Sequence, residues 1–361
     1  MSGIFGTLGL SESGADRLYV NTLGQRLVYD AVQAEMTKHN ADLDAALSFF
    51  VEETTENFKE RFKLPGGGYL QPRGINATPG AVKAYGSWDG AYPLNDYGAQ
   101  LATNDVGLAY MSLAELNRHI DTITLQDKNT IRRELLKALL DSSGYTFNDP
   151  IYGNLSVVPL ANGDSVVYPP VIGTDSEATE NHFIGTNYAV SGISDTNNPC
   201  ITVRDELEEH FGTPTGGSDI VMFVDPTVGQ KIEGLTDFDP VVNRFVTPGV
   251  NTAIPHDLPS NMPGRVLGVC NSVWIVEWRW LPTAYALAQY IGAPKPVKQR
   301  VDPADTGLGQ GLQLVATDED HPFNMAYYRH RFGLGVGNRL NGVALQFVAS
   351  TSYSTPSGFS H

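Results

Sequence analysis

The stretch that decides the fold is Asp219–Leu235, which reads DIVMFVDPTVGQKIEGL. It contains five apolar residues in a row, Ile220–Val224, the pattern of a strand that is buried on both faces. Asp225 and Pro226 follow directly, as a helix N-cap and a first-turn proline. Apolar residues at helical spacing come next: Val228, Ile232 and Leu235. The sequence therefore predicts a central strand that enters a short helix through a tight joint.

Further strands and a helix are predicted around this joint. Thr202–Phe211 has the periodicity of a helix, and Val273–Trp280 (VWIVEWRW) is the strongest strand pattern of the chain. Near the C-terminus, Met325–Phe332 and Val343–Ala349 flank a glycine-rich segment and are predicted to be a closing pair of strands. Strands therefore dominate the second half of the chain.

Two helical regions are predicted in the first half. Apolar residues recur at spacings of three and four over Leu43–Phe62, which predicts an amphipathic helix that stops at the Pro65–Gly68 turn. Ser112 and Thr124 each stand three residues before an acid, which is the spacing of a capping box. They predict two helices in tandem, of which the second ends near Gly144.

Residues 65–105 form the least core-like part of the chain, because glycine, proline and asparagine break every apolar pattern. A structureless loop of about 40 residues is unusual inside a compact domain. Aromatic residues are scarce in disordered linkers and enriched at interfaces. We therefore expect an extended arm that contacts another subunit through its aromatic residues: Tyr69, Tyr85, Trp88, Tyr92 and Tyr97.

The net charge of −16 comes from 24 basic and 40 acidic residues, which are unevenly distributed. Residues 146–240 hold 2 basic and 15 acidic side chains, whereas residues 241–300 hold 6 basic and 2 acidic ones. Such a separation is typical of subunits that pair unlike patches, although an acidic face kept for solubility gives the same counts. The densest basic run, Arg132-Arg133 with Lys137, is offset by neighbouring acids. Strong binding to DNA phosphates is therefore not expected.

Signatures of the common enzyme classes are missing from the sequence. It contains no GxxxxGKS/T, GxSxG or HExxH motif. The glycine-rich residues 333–337 follow a strand, but a second strand is predicted next, where a dinucleotide loop needs a helix. His256-Asp257 and residues 318–321 offer metal-ligand atoms, but acidic runs of this kind are usually solvated loops. We therefore predict no catalytic residue, no cofactor site and no metal site.

The two cysteines, Cys200 and Cys270, lie far apart without metal-ligand spacing, so the sequence indicates neither a zinc site nor a disulfide framework. Cys270 is expected to be a buried structural thiol beside the tryptophan-rich strand. The first ten residues lack the basic-then-apolar pattern of a signal peptide, and no apolar run is long enough to span a membrane. Synthesis in a reducing cytoplasm is the expectation.

The order of these parts resembles the major capsid proteins of tailed double-stranded-DNA bacteriophages, which have the α+β HK97-type fold. The resemblance spans nearly the whole chain. Its most specific motif is Phe223-Val224-Asp225-Pro226, and the next is the R-x-R-F-G-x-G-V stretch at Arg329–Val336. The family's parts would be placed as follows: an N-terminal arm with its helix at 1–62, the extended E-loop at 63–105, a peripheral domain with the spine helix at 106–180, an axial domain at 181–310, and return strands of the peripheral domain at 311–361.

The resemblance implies a structural protein and not an enzyme. Such a subunit assembles with itself, through hexamers and pentamers, into an icosahedral shell around double-stranded DNA that it does not bind strongly or sequence-specifically. The implied partners are a portal, a separate scaffolding protein and, optionally, decoration proteins, and the implied locations are the host bacterial cytoplasm and then the virion. Some relatives also join a loop lysine to a neighbour's asparagine, for which the candidates here are Lys83 with Asn338 or Asn341.

Other interpretations of the sequence stay open. Bacterial encapsulin nanocompartments share the fold and enclose cargo enzymes, and the sequence separates them from phage shells only weakly. A β-rich glycan-binding or tail-fibre module would also use exposed tryptophan and tyrosine, but capped helices and the absence of repeats count against it. An enzyme is the third alternative.

Overall fold

The computed structural model describes residues 19–20, 24–52, 55–64, 70, 75, 86–100, 107, 110–171, 177–211, 220–240, 263–316, 323 and 326–361. The chain divides into two compact units. Unit 1 contains residues 1–47, 94–133 and 301–333, and unit 2 contains residues 48–93, 134–300 and 334–361.

The helices are α1 (Gln25–Leu47), α2 (Leu113–Leu140), α3 (Pro199–Phe211) and α4 (Pro226–Ile232). The strands are β1 (Lys59–Lys63), β2 (Ser87–Ala91), β3 (Asn95–Gln100), β4 (Tyr145–Asp149), β5 (Gly153–Val157), β6 (Phe183–Gly185), β7 (Ile220–Val224), β8 (Phe238–Pro240), β9 (Arg265–Cys270), β10 (Val273–Glu277), β11 (Tyr285–Tyr290), β12 (Val297–Arg300), β13 (Leu312–Ala316), β14 (Ala326–Val336) and β15 (Val343–Gln346). None of the helices among the described residues has the length and apolarity needed to cross a membrane.

Unit 1 packs α1 and the first half of α2 against strands. Both β13 and β3 pair with β14 in antiparallel fashion. The buried stripe of α1, which includes Val32 and Met36, joins Leu116 and Ile120 of α2 and Leu314 of β13 in one apolar cluster. The core of this unit therefore lies between two helices and a sheet.

Unit 2 is built on a seven-stranded mixed sheet in the order β6-β15-β11-β7-β10-β9-β8. All five residues of the central strand β7 are buried. Its face with Met222 packs on α3 and α4, and on the other face the Phe223 ring lies 5.0 Å from Phe50 and 5.8 Å from Trp278. Asp225 caps α4 by accepting a hydrogen bond from the Thr227 backbone N–H at 3.0 Å. The predicted buried strand, cap and short helix are confirmed.

The predicted amphipathic helix over Leu43–Phe62 is wrong in position. Helix α1 ends at Leu47, and β1 occupies Lys59–Lys63. In β1 the half-buried residues alternate, which is the period of a strand. Residues 49–51 follow α1 in a turn and are apolar and buried without being helical. They fill the gap between the apolar residues of α1 and those of β1, so that the sequence shows one continuous stripe at spacings of three and four.

The closing strands form, but they do not pair with each other. Strand β14 pairs with β3, β12 and β13, whereas β15 lies between β6 and β11 in the seven-stranded sheet. Residues 334–361 accordingly belong to unit 2. The glycines do not form a hairpin turn here: a Cβ on Gly335 would lie 2.8 Å from the Tyr92 ring and 3.0 Å from the Ala91 carbonyl oxygen. Glycine permits this close approach of strand and chain.

Candidate assembly elements

Strands β1 and β2 form an antiparallel pair that we call the loop stem. Its register runs from Lys59 opposite Ala91 to Lys63 opposite Ser87, so the chain leaves and re-enters the pair at one end. Between the two strands, Leu70 and Ile75 are 95% and 100% exposed, whereas Leu64, next to β1, is half-buried. Such an arrangement is what the stem of an extended loop requires.

Ion pairs hold the exposed face of the loop stem together. Asp89 of β2 lies 2.6 Å from Arg61 Nε and 2.7 Å from Lys59 Nζ, both on β1. Hydrogen bonds from Arg61 and Lys59 hold the pKa of the Asp89 carboxyl well below its ordinary value. These side chains are solvated, so they contribute to strand register more than to stability.

The opposite face of the loop stem is anchored through Glu60. Its carboxylate accepts hydrogen bonds from Lys298 Nζ at 2.9 Å and from the Tyr92 hydroxyl at 3.0 Å. Burial raises the pKa of Glu60, but hydrogen bonds from Lys298, Asn57 and Tyr92 outweigh it, so the pKa lies below its ordinary value. The hydrogen bond between Glu60 and Lys298 therefore attaches the loop stem to β12, the strand that contains Lys298.

Two of the five predicted contact aromatics point into unit 2. Trp88 is 8% exposed and stacks on Phe62 with ring centroids 5.1 Å apart. Tyr92 is fully buried, and its backbone oxygen accepts a hydrogen bond from Arg300 at 3.0 Å. The interpretation of Trp88 and Tyr92 as side chains for a neighbouring subunit is corrected: composition cannot distinguish burial within a subunit from burial between subunits.

Of the other three predicted contact aromatics, one lies in unit 1 and two lie outside the described residues. Tyr97 lies in β3 of unit 1, half-buried, with its ring stacked on Phe332 at 5.0 Å. It therefore belongs to a sheet and not to the loop. Tyr69 and Tyr85 lie outside the described residues, as do Lys83, His256-Asp257 and residues 318–321.

The two asparagines considered for a cross-link occupy different environments. Asn341 is fully buried, and its side chain accepts from the Tyr290 N–H at 2.8 Å and donates to the Tyr290 and Pro294 oxygens at 2.9 Å. A lysine from another subunit could not reach it. Asn338 is half-buried and donates to the Pro294 oxygen at 2.8 Å. Of the two asparagines, Asn338 is therefore the more accessible.

A buried ion pair in unit 2 was not predicted from the sequence. Arg300 Nη1 donates to Asp149 Oδ2 at 2.8 Å, and both side chains are nearly inaccessible to solvent. Burial raises the pKa of Asp149, but hydrogen bonds from the Ile151 and Tyr152 backbone N–H groups and from Arg300 outweigh it and lower the pKa. Because Arg300 also binds the Tyr92 oxygen, this pair ties the chain just after the loop stem to the β4–β5 hairpin. No local pattern marks partners so distant in sequence.

Unit 1 contains a second buried polar cluster, centred on Asp127. His39 Nε2 lies 2.9 Å from one carboxylate oxygen and His330 Nδ1 lies 2.7 Å from the other. Burial raises the pKa of Asp127, but the hydrogen bonds from both histidines outweigh it and hold the pKa below its ordinary value. One carboxylate thus joins α1, α2 and β14.

The position of Asp127 corrects the prediction of tandem helices. A single helix, α2, runs from Leu113 to Leu140. Ser112 caps it as predicted, since its Oγ accepts from the Glu115 N–H at 3.2 Å. Thr124, by contrast, lies in mid-helix and donates to the Ile120 oxygen at 3.1 Å, a local bond that mid-helical threonines commonly form. The capping-box spacing at Thr124 is therefore coincidental.

Three carboxylates meet in unit 2 at Glu180, Glu206 and Glu209, each with an oxygen within 4.8 Å of the others. Burial and the neighbouring charges of Glu209 and Glu180 raise the pKa of Glu206 to about 7. Burial and the charges of Glu180 and Asp205 raise that of Glu209 to about 6. We call these three residues the acidic cluster. Burial and the close approach of these carboxylates thus bring the pKa of Glu206 near neutral pH.

No protein-family model and no curated protein matches this sequence. Among solved structures, one from Mycobacterium phage Patience matches with a TM-score of 0.68 and 21% identity, covering 96% of this chain and 95% of that chain. The capsid structure of the cyanophage P-SCSP1u matches with a TM-score of 0.45 and 12% identity over 83% of this chain and 86% of that chain. The capsid of the Myoviridae phage XM1 matches with a TM-score of 0.43 and 12% identity over 85% and 91%.

The first of these matches carries the argument, because the other two TM-scores are too low to support one. It extends over nearly the full length of both chains, so it includes both units and not a shared supersecondary element. At this level of identity the likeness establishes the fold. The chain has the HK97-type fold of tailed-phage capsids.

Proposed function

We propose that this chain is the major capsid protein of a tailed double-stranded-DNA phage. It acts as a structural protein, assembling through hexamers and pentamers into an icosahedral shell that encloses the genome. The observation that carries the proposal is the fold shared with a phage structure over 96% of this chain. Function in such a shell resides in surfaces and arms, which fits a chain without recognisable catalytic motifs.

The described residues support a division between rigid parts and contact parts. Buried polar clusters at Asp127 in unit 1 and at Arg300 in unit 2 fix the elements of each unit internally. The loop stem then presents a chain segment in which Leu70 and Ile75 are exposed apolar side chains. These two side chains are available for contact with a partner. A neighbouring subunit is the partner that would cover them.

The proposed partners follow from this role. The subunit would meet other copies of itself, a portal, a separate scaffolding protein and, optionally, decoration proteins, first in the host cytoplasm and then in the virion. DNA would be confined and not tightly bound, because the chain has 24 basic and 40 acidic residues and phosphate binding needs clustered cations. The acidic residues of 146–240 would lie mainly on the outer surface or around the axial openings.

Negative-stain microscopy of the purified protein, produced with and without its scaffolding protein, tests the proposal. Closed shells, or hexamers and pentamers, are expected. A chain that stays monomeric at high concentration in both preparations would contradict the proposed role. Shells that contain a cargo enzyme and no DNA after production in the native host would instead indicate an encapsulin-type nanocompartment.

A covalent link between subunits is proposed in a narrower form than the sequence suggested. With Asn341 buried and fully hydrogen-bonded, the remaining pair is Lys83 of the loop and Asn338 of a neighbour. Denaturing gels of mature particles test it, with Lys83→Arg as the control that keeps the charge. A ladder of multimers that disappears in the variant supports the link, and a single band at the monomer mass rules it out.

A further inference from the structure

The β4–β5 hairpin has an apolar turn that the fold holds in place and leaves exposed. Ile151 is 81% exposed and Tyr152 is 49% exposed. Asp149 Oδ1 accepts hydrogen bonds from the backbone N–H groups of these two residues, at 2.8 Å and 3.0 Å. Turns are usually built from glycine, proline, asparagine, aspartate and serine. The Ile151 side chain, in particular, contributes little to the core of unit 2, so the folding of the subunit does not explain it.

Contacts behind the turn fix the position of Tyr152. Its ring stacks on Phe58, with ring centroids 3.8 Å apart and planes inclined by 9°. The Arg300 guanidinium lies 5.6 Å from the same ring, and Arg300 also forms the buried ion pair with Asp149. A surface that is ordered before it binds loses little conformational entropy on association. The turn therefore has the preformed geometry that a contact surface requires.

The hairpin and its flanks are almost free of charge. Residues 142–163 include one charged residue, Asp149, although 18% of the chain is charged. Asp149 is only 3% exposed. Leu155 and Val157 are buried on one face of the hairpin. Side chains alternate between the two faces of a strand, and the other face presents cross-strand pairs of exposed, uncharged polar residues: Thr146 with Ser156 and Asn148 with Asn154.

This lack of charge decides which partner fits the hairpin. A net charge of −16 makes two copies of the chain repel each other. They can approach where neither copy presents a charge and where apolar side chains are exposed. DNA or an anionic membrane would need lysine or arginine, which residues 142–163 do not contain. A cationic partner would need exposed acids, and the hairpin has none.

We propose that the β4–β5 hairpin is a contact surface between two copies of this chain, in which the hairpins of neighbouring subunits meet each other. Identical surfaces that face each other across a two-fold axis form a closed, self-complementary contact. Ile151 and Tyr152 form its apolar centre, and the uncharged polar residues form its rim. This inference rests on the proposed function, because it names one surface through which the subunit assembles.

Charged variants of Ile151 test the proposal. Ile151→Asp and Ile151→Lys each place like charges opposite each other, whereas Ile151→Leu keeps the contact apolar and is the matched control. All three should fold, because position 151 is exposed, and circular dichroism checks this. We expect each charged variant alone to need a subunit concentration at least about tenfold higher for shell assembly. An equal mixture of the two charged variants should restore assembly, because unlike charges then meet.

Two results would overturn the hairpin contact and leave the proposed function standing. The first is a parent protein and an Ile151→Asp variant that build shells at the same concentration. The second is a mixture of the charged variants that stays as defective as each variant alone, because the hairpin would then meet a different surface of its neighbour.

A cross-linking measurement does not depend on shells. Ile151→Cys adds an accessible thiol to a chain whose own cysteines, Cys200 and Cys270, are fully buried. A short bismaleimide should join two copies of this variant in concentrated solution, giving a dimer band on a denaturing gel. Leu125→Cys, at a position that is 56% exposed and outside the hairpin, is the control and should give much less dimer. If the parent protein forms no shells, the proposed function fails, and an Ile151→Cys variant that stays monomeric refutes the hairpin contact as well.

Discussion

Replacing Glu206 by glutamine should stabilise the protein at alkaline pH and should not do so at acid pH. Burial, together with the charges of Glu209 and Glu180, raises the pKa of Glu206 from 4.5 to about 7. The folded protein therefore keeps a proton that the unfolded chain releases above pH 4.5. Stability from this group is fully present below that value and is lost as the pH rises through about 7. A shift of this size corresponds to at most about 3 kcal/mol. Since Glu206 is only partly buried, we expect about 2 kcal/mol.

Urea denaturation of the unassembled subunit at pH 5, 6, 7 and 8 measures this effect. The difference between Glu206→Gln and the parent protein should grow by about 2 kcal/mol from pH 5 to pH 8, in favour of the variant. Glu208→Gln is the matched control, because Glu208 lies on the same helix but outside the cluster, 4.0 Å from Arg204. A stability difference for Glu206→Gln that does not change with pH would refute the raised pKa of Glu206.

Four further outcomes are expected. Arg300→Met should destabilise unit 2 by about 3–5 kcal/mol in chemical denaturation, because Asp149 is left charged and buried. Adding Asp149→Leu should recover much of that lost stability, and a double variant as unstable as the single one would show that the ion pair is not the cause. Gly86→Ala should lower the melting temperature more than Gly153→Ala. Both glycines have positive φ, but only at Gly86 would the new Cβ clash with a backbone carbonyl oxygen, that of Val167, so equal effects of the two substitutions would contradict the clash. Replacing residues 66–85 by a short Gly/Ser linker should leave a folded subunit that builds no stable shell. Heat-stable capsids from this variant would contradict that expectation. Filter binding to duplex DNA at near-physiological salt should detect only weak association, whereas submicromolar affinity would overturn the proposal of confinement without binding.

Local signals carried the predictions that the structure confirms. The run Ile220–Val224, the Asp225 cap and the Ser112 cap each depend on neighbours within four residues, so the sequence displays them directly. The order of such elements also indicated the fold that the likeness to a phage structure supports over 96% of the chain.

The predictions that failed depend on partners that are distant in sequence. Asp127 matches a capping box locally, yet two histidines far along the chain make it the centre of a buried cluster. Trp88 and Tyr92 have the composition of an interface, yet both are buried within unit 2, where Trp88 stacks on Phe62. Tertiary context decides such positions, and a single sequence does not display it.

The antiparallel register of the loop stem has a consequence for how this chain can change. The two strands hold each other by their own hydrogen bonds and by the ion pairs at Asp89, so the segment between Lys63 and Ser87 is closed at its base. For a loop closed in this way, doubling the length costs only about 0.6 kcal/mol. Insertions in this loop should change the stability of the subunit very little, while they change how far the loop extends toward neighbouring molecules. A foreign peptide placed in this loop would accordingly be displayed on a folded chain, and descendants of the protein could vary its length with little effect on either unit.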